Sequence, residues 1–192
     1  MARLDLDMDL FRRQLQAKAE RLQSSRQIRM IEVFSEHTDA EIDGNLDRLM
    51  ATLNPDPQFY VHHAGGDIGP KGWSAVRDMY LEMFASRTNY MELNYQCIVV
   101  DDETLIAEFK QRKILPGQVF LQVGAYRDAL RDRGETADSS AHYLSEGRAI
   151  VIVPFDDQCR MIGEHSFSSG KPAVRKLAPD ELPDAYRERF GV

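Results

Sequence analysis

The sequence predicts a single α+β domain in which a cone-shaped, curved antiparallel sheet wraps around a pocket and is covered by three N-terminal helices. Apolar residues follow a helical period as far as Arg87 and alternate with a period of two from Tyr90 onward. Helices therefore come mainly before strands instead of alternating with them, which favours α+β over α/β. A chain of 192 residues is long enough for one such domain with a real core.

The helices are indicated by apolar stripes and by the residues that end them. Residues 27–42 form the first covering helix, and a shorter one ends at Asn54, because the residue before a proline avoids helical geometry. A third helix covers residues 73–87, after a short strand at residues 59–63. In that strand Phe59, Val61 and His63 share one face.

Four longer strands follow, joined as two hairpins with a long connection between them. The alternating pattern places them at residues 90–99, 105–113, 143–155 and 160–168. The connection, residues 114–142, is long for a compact domain, so we expect a short helix within it and a mobile lid beside the pocket.

These patterns divide the chain into a central domain and two flanking segments. Residues 1–26 have the spacing of a polar amphipathic helix, and we expect a surface arm or a dimer contact. The central domain covers residues 27–170, and residues 171–192 form a polar tail that docks as a short helix.

Composition excludes several classes of function. The formal net charge of −7 and the lack of a basic cluster argue against a nucleic-acid partner. No stretch approaches the ~18 apolar residues that a membrane span needs, so we expect no membrane partner. Cys97 and Cys159 form neither a disulfide framework nor a zinc motif, which is typical of the reducing cytoplasm.

We also expect no cofactor and no metal. The GGDIG segment lacks the spacing of a dinucleotide-binding loop. His62 and His63 are neighbours on a strand and project to opposite faces, so they do not easily reach one ion together.

Three segments carry a resemblance to a known family. They are the loop and helix GPKGWSAVRDMY, with Gly72, Val76 and Tyr80 at the family's positions, the short helix DGNLDRLMATLNPD and the final strand CRMIGEHSFSS. Together they resemble the nuclear transport factor 2-like superfamily over about residues 27–170, in particular its SnoaL-like enzymes. That group includes ketosteroid isomerases, scytalone dehydratases, polyketide cyclases and cofactor-free aromatic lyases, so the fold does not fix the function.

The resemblance implies three catalytic residues. His63 stands where the isomerases carry their proton-abstracting carboxylate, and a histidine is a suitable general base near neutral pH. His37 lies near the position of a pocket tyrosine in several relatives. Glu164 faces the cavity from the final strand, either free or in a salt bridge to Lys110, Arg112 or Arg148.

The remaining candidates are residues that would contact the substrate. Glu108, Lys110 and Arg112 share one strand face, either as a charged pocket wall or, as we prefer, as a solvated or dimer-facing surface. The full set of expected substrate-binding residues is Phe34, Tyr60, Val61, Trp73, Tyr80, Phe84, Glu108, Lys110, Arg112 and Arg148.

From this site we expect a cofactor-independent lyase, of the dehydratase or retro-aldol type, acting on a hydrophobic and hydroxylated, aromatic small molecule. An isomerase or epoxide hydrolase of the same fold is one alternative, and a non-catalytic small-molecule-binding or assembly module is another. The convex face of such a sheet commonly meets a partner in this family, so we expect a homodimer or a homotrimer.

Overall fold

A computed structural model describes residues 3–63, 66–122 and 124–192, with the side chains of residues 63 and 125 outside that description. The helices are α1 (Leu10–Ala19), α2 (Ser25–Asp43), α3 (Leu46–Ala51), α4 (Trp73–Ala85), α5 (Gly117–Gln122), α6 (Gly124–Arg131) and α7 (Asp184–Phe190). The strands are β1 (Leu53–His63), β2 (Gly66–Asp67), β3 (Met91–Val100), β4 (Thr104–Pro116), β5 (His142–Pro154), β6 (Met161–Ser168) and β7 (Ala173–Lys176). Within these residues no helix has the length and apolar character needed to cross a membrane.

Among the described residues the strands form one curved, unclosed sheet. Its order is β2-β1-β6-β5-β4-β3, with β7 paired to the far end of β5. All pairs are antiparallel except β1 with β6, which run parallel. A register shift between Tyr95 and Cys97 interrupts the β3–β4 ladder, and such bulges bend a sheet. The predicted α+β fold with a curved sheet is confirmed.

The concave face of the sheet is covered by α1, α2 and α4. Each strand turns its alternate apolar residues toward these helices, so that Leu105, Ala107 and Phe109 of β4 are buried in the same core as Val76 of α4. At the end of α2, Gly44 adopts a left-handed conformation (φ 74°), which lets the chain leave the helix and turn into α3.

Helix α1 belongs to this core. Phe11 and Leu15 are 1% and 0% exposed and pack in the main apolar cluster with residues of α2 and β3. The expected surface arm at residues 1–26 is therefore wrong for this segment, because its apolar stripe is wide enough to be buried against two elements.

The C-terminal segment is also integral. Tyr186 of α7 is fully buried, and β7 extends the sheet beside β5. The backbone amide of Leu4 donates to the carbonyl of Glu181 (2.8 Å), and Arg189 donates to the carbonyl of Ile42 at the end of α2 (2.6 Å). The two chain ends thus meet at one end of the cone.

The long connection is mostly regular structure. Strand β4 continues to Pro116, and α5 and α6 follow it directly. A separate apolar cluster holds them to the sheet through Leu115, Phe120, Leu130, Tyr143 and Val174. The expected mobile loop therefore reduces to residues 132–141, and even there the amide of Asp138 donates to the hydroxyl of Tyr143 (2.8 Å).

Candidate functional site

Three charged side chains meet inside the cone. Glu41 comes from the last turn of α2, Lys113 from β4 and Glu164 from β6. Each lies deep within the protein, yet each keeps part of its surface accessible to water. Charged side chains that combine depth with partial accessibility are typical of a ligand site, so we take the space that these three share inside the cone, called the cavity below, as the candidate site.

The local sequence explains why these residues face inward. Glu41 follows His37 by four residues and therefore lies on the same buried side of α2. Lys113 is separated from buried Phe109 by four residues of a strand, so it shares the inward face. Glu164 follows Gly163, whose missing side chain lets β6 approach β1: a Cβ there would lie 1.9 Å from the carbonyl oxygen of Gln58.

Burial changes the proton affinities of all three groups. It raises the pKa of Glu41 to about 7, an effect that nearby Lys113 opposes and Glu164 reinforces. It also raises the pKa of Glu164, which the hydrogen bond donated by Ser166 and the charge of Lys113 partly offset. The pKa of Lys113 is lowered by burial, against the pull of the two carboxylates. The site therefore holds two carboxyl groups of unequal proton affinity beside one amine.

Within the described part of the chain, Nζ of Lys113 has no hydrogen-bond or ion-pair partner within 4.0 Å. The exposed lysines Lys71, Lys171 and Lys176 each contact a carboxylate at 2.6–2.7 Å. Lys113 therefore combines a deep position with an amine that has no fixed counter-ion.

His37 lies behind this cluster and is saturated with hydrogen bonds. Thr52 donates its hydroxyl hydrogen to the carbonyl of Leu49 (2.6 Å), so it accepts from Nδ1 of His37 (2.7 Å). Nε2 of the ring then accepts from the hydroxyl of Tyr80 (2.9 Å). Burial lowers the pKa of His37 to about 4, so the ring stays neutral and acts by holding Tyr80.

Aromatic rings surround the charged cluster. Phe34 and Phe109 lie beside Tyr95, with ring centroids 5.9 and 5.7 Å apart, and Phe59 meets Tyr80 edge to face at 6.0 Å. Burial raises the pKa of Tyr80 far above its usual value, so its hydroxyl is a neutral hydrogen-bonding group. Such walls suit an apolar ligand that carries a few oxygen atoms.

In sequence, the chain matches no protein-family model and no curated protein. Solved structures do match it. A SnoaL-like polyketide cyclase candidate from Shewanella denitrificans OS-217 covers 73% of this chain and 90% of its own, at 11% identity and a TM-score of 0.56. A second such candidate, from Jannaschia sp. CCS1, covers 78% and 91% at 10% identity and a TM-score of 0.55. The chain has the nuclear transport factor 2-like fold.

A further match with this fold is an epoxide hydrolase/cyclase-like enzyme with a role in pyran ring formation in the polyether salinomycin. It covers 77% of this chain and 95% of its own, at 7% identity and a TM-score of 0.51. Similarity at this level establishes the nuclear transport factor 2-like fold and leaves the reaction open.

On this fold, the expected catalytic residues fall in different places. Glu164 lies in the cavity, and His37 lies behind it as part of the Thr52–His37–Tyr80 chain. His63 is the last residue of β1, and its side chain lies outside the described residues, so its role as a base stays a prediction.

The expected apolar contacts are divided in the same way. Phe34 and Tyr80 are buried beside the cluster, and Val61 and Phe84 are half-buried. Trp73, in contrast, is 42% exposed and lines a surface cleft with Leu53, Pro55 and Arg160 among its neighbours. Trp73 therefore lies away from Glu41 and Glu164, and its expected contact with a substrate stays a prediction.

Tyr60 also lies elsewhere, on the outer face of the sheet. Its ring stacks on that of His165 at 4.3 Å, and the ammonium of Lys71 lies 4.0 Å from its centroid. Beside it, His62 stacks on Phe167 at 4.2 Å. The alternation along β1 was predicted correctly, and it is this alternation that takes Tyr60 away from the pocket.

The charged candidates on β4 and β5 are on the same outer face. Arg148 pairs with Glu108 at 2.6 Å, and Arg112 lies 3.4 Å from both Glu92 and Glu146. Lys110 is exposed on this face. These four side chains therefore face away from the cone, and the ion pairs of Arg112 and Arg148 fit the preferred alternative of a solvated surface. Whether this face joins a homodimer or a homotrimer stays a prediction.

Glu41 and Lys113 are the residues that sequence analysis missed. Glu41 lies in the acidic segment DAEID, which is typical of a solvated helix end, and Lys113 is the last residue of its predicted strand. The spacing signal existed, since Glu41 continues the stripe of Phe34 and His37, and Lys113 continues the row of Ala107 and Phe109. In the described ranges, no group of three or more His, Cys, Asp or Glu side chains is arranged to hold a metal ion.

Proposed function

We propose that the protein is a cofactor-independent lyase, of the dehydratase or retro-aldol type, that acts on a hydrophobic, hydroxylated aromatic molecule. The observation that carries the proposal is the pair Glu41 and Glu164, two deep carboxyl groups with raised pKa values beside the single amine of Lys113. Ionisable groups with perturbed pKa values in an enclosed pocket are typical of acid–base catalysis.

The surroundings of the two carboxyl groups support a different role for each. Glu164 accepts a hydrogen bond from Ser166, which favours its ionised form, whereas no described residue donates a hydrogen bond to the carboxyl group of Glu41. Two neighbouring carboxylates also repel each other, so the first ionisation raises the pKa of the second group. Glu164 is then the general base and Glu41, with a pKa of about 7, the general acid.

In a dehydration, the carboxylate of Glu164 would accept a proton from the carbon next to the leaving hydroxyl. Glu41 would donate its proton to that hydroxyl, which departs as water while the carbon–carbon double bond forms. The hydroxyl of Tyr80 donates its hydrogen bond to His37 and would accept a hydrogen bond from a hydroxyl group of the substrate. His63 stays a candidate for the first proton transfer.

A second candidate reaction is the opening of an epoxide, because the same pair offers an acid for the ring oxygen and a base for the attacking nucleophile. The epoxide hydrolase/cyclase-like match shares the fold and supports this alternative at that level only. The two reactions differ in their products: dehydration removes one water from the substrate, and hydrolytic opening adds one.

The test is incubation of the protein, without added cofactor, with a panel of hydroxylated aromatic compounds and aryl epoxides, followed by mass spectrometry of the products. Glu41→Gln and Glu164→Gln should each lower kcat by about 100-fold or more, the usual contribution of a positioned acid or base. Glu108→Gln is the matched control, since Glu108 faces outward toward Arg148. Normal turnover in both cavity variants would rule out the proposed roles.

A further inference from the structure

Lys113 is the feature that the acid–base proposal leaves without a chemical task. Its side chain enters the cavity from β4, between the strand partners Met91 and Ser145, and reaches the region of Glu41 and Glu164. Its Nζ has no partner within 4.0 Å among the described residues, unlike Lys71, which is fixed by Asp67. An amine in this position is free to react with a ligand.

We propose that Lys113 is a nucleophilic amine that forms an imine with an aldehyde or ketone bound in the cavity. Two observations support this. Lys113 lies on the inward face of β4 together with buried Phe109, and its amine has no fixed counter-ion among the described residues. The carboxyl groups of Glu41 and Glu164 can move protons and lie close enough to interact electrostatically with that amine. Burial also disfavours the ammonium, so more of the free amine is present at neutral pH than for an exposed lysine.

The step balances with groups already in the site. A carboxylate, Glu41 or Glu164, accepts the proton that the ammonium of Lys113 loses. The nitrogen lone pair then forms a bond to the carbonyl carbon, and the carbonyl oxygen takes up a proton from the neutral carboxyl group. A second proton transfer, from the nitrogen to that oxygen, releases it as water and leaves the protonated imine. One amine and one carbonyl compound thus yield one imine and one water.

An imine at this position extends the proposed function and gives it a substrate class. A protonated imine accepts electrons from a neighbouring carbon–carbon bond, which is what a retro-aldol cleavage requires. The aromatic rings around the cluster favour an aryl aldehyde or aryl ketone as the carbonyl compound. Although this deepens the proposed lyase, imine formation is measured without any turnover.

The experiment traps the imine by reduction. The full-length protein is incubated at pH 7 with benzaldehyde and sodium cyanoborohydride, and the labelled lysines are located by peptide mass mapping over time. Lys113 should be labelled faster than exposed Lys110 on the same strand, because burial lowers the pKa of Lys113 and leaves more of it as free amine at pH 7. This comparison is internal to the wild-type protein and needs no variant to fold.

Two variants check the assignment. Lys113→Arg keeps a positive charge but has no nucleophilic amine, and it should abolish the fast labelling, whereas Lys110→Arg should leave it unchanged. Labelling of Lys113 no faster than that of Lys110 overturns the proposal. Normal turnover of hydroxylated aromatics without labelling would leave the acid–base function standing, and labelling without any turnover would refute that function and retain the imine.

Discussion

Replacing Glu41 by glutamine should make the protein more stable at pH 8 and change its stability little at pH 5. Burial raises the pKa of Glu41 from 4.5 to about 7, so the folded protein holds a proton that the unfolded chain releases over this range. A group whose pKa is raised on folding favours the folded state below its unfolded pKa, and that contribution is lost as pH rises through the folded pKa. The wild-type protein should therefore lose stability between pH 5 and pH 8.

The size of the effect follows from the two pKa values. Each pKa unit corresponds to about 1.4 kcal/mol, so ionising buried Glu41 costs roughly 3 kcal/mol at pH 8 and under about 1 kcal/mol at pH 5. Glutamine has a similar shape and no charge to bury, so the Glu41→Gln variant should avoid that cost. Urea unfolding at the two pH values, followed by far-ultraviolet circular dichroism, gives the difference directly.

The matched control is Glu32→Gln on the same helix. Glu32 is exposed and pairs with Arg29, so its replacement should change the free energy of unfolding by less than about 1 kcal/mol at either pH. If Glu41→Gln is no more stable than the wild type at pH 8, or gains as much at pH 5, the carboxyl group is solvated and the acid assigned to Glu41 has no basis.

Three further predictions concern the framework around the site. Gly163→Ala should lower the melting temperature measured by calorimetry, because the added Cβ would meet the backbone of β1 and such overpacking costs about 1–3 kcal/mol. The control is Gly147→Ala, which should be nearly neutral because the nearest contact of its Cβ would be 3.9 Å away. Leu15→Ala should destabilise the protein by about 2–5 kcal/mol in urea unfolding, and a loss below about 1 kcal/mol would restore the surface-arm interpretation of residues 1–26. Deletion of residues 134–140 should lower the melting temperature more than it weakens ligand binding, because it removes the hydrogen bond between Asp138 and Tyr143 and the ion pair between Asp138 and Lys176. An unchanged melting temperature would favour a lid.

The fold could be predicted from the sequence more completely than the candidate site, for a physical reason. The apolar positions of a helix or a strand recur many times along the sequence. One irregularity, such as the register shift after Tyr95, therefore does not change the predicted element. A buried charged residue occupies a single position and is not part of a repeating pattern. Inward-facing positions are identified in a sequence by their apolar side chains, so a charged residue at such a position is overlooked. Glu41 and Lys113 were missed because polar residues at the ends of elements are usually solvated, and only their partners in space distinguish them. Glu164 was found because the family resemblance places it on the cavity face of the final strand.

The shared location of the two chain ends has a practical consequence for protein engineering. Leu4 is hydrogen-bonded to Glu181, and Arg189 contacts the carbonyl of Ile42, the residue that follows Glu41. A fusion partner joined closely after Arg189 would lie beside the end of the helix that carries the proposed acid. A circular permutation that links the two ends and opens the chain at the exposed turn of residues 101–103 would keep this region intact and move the new ends away from it.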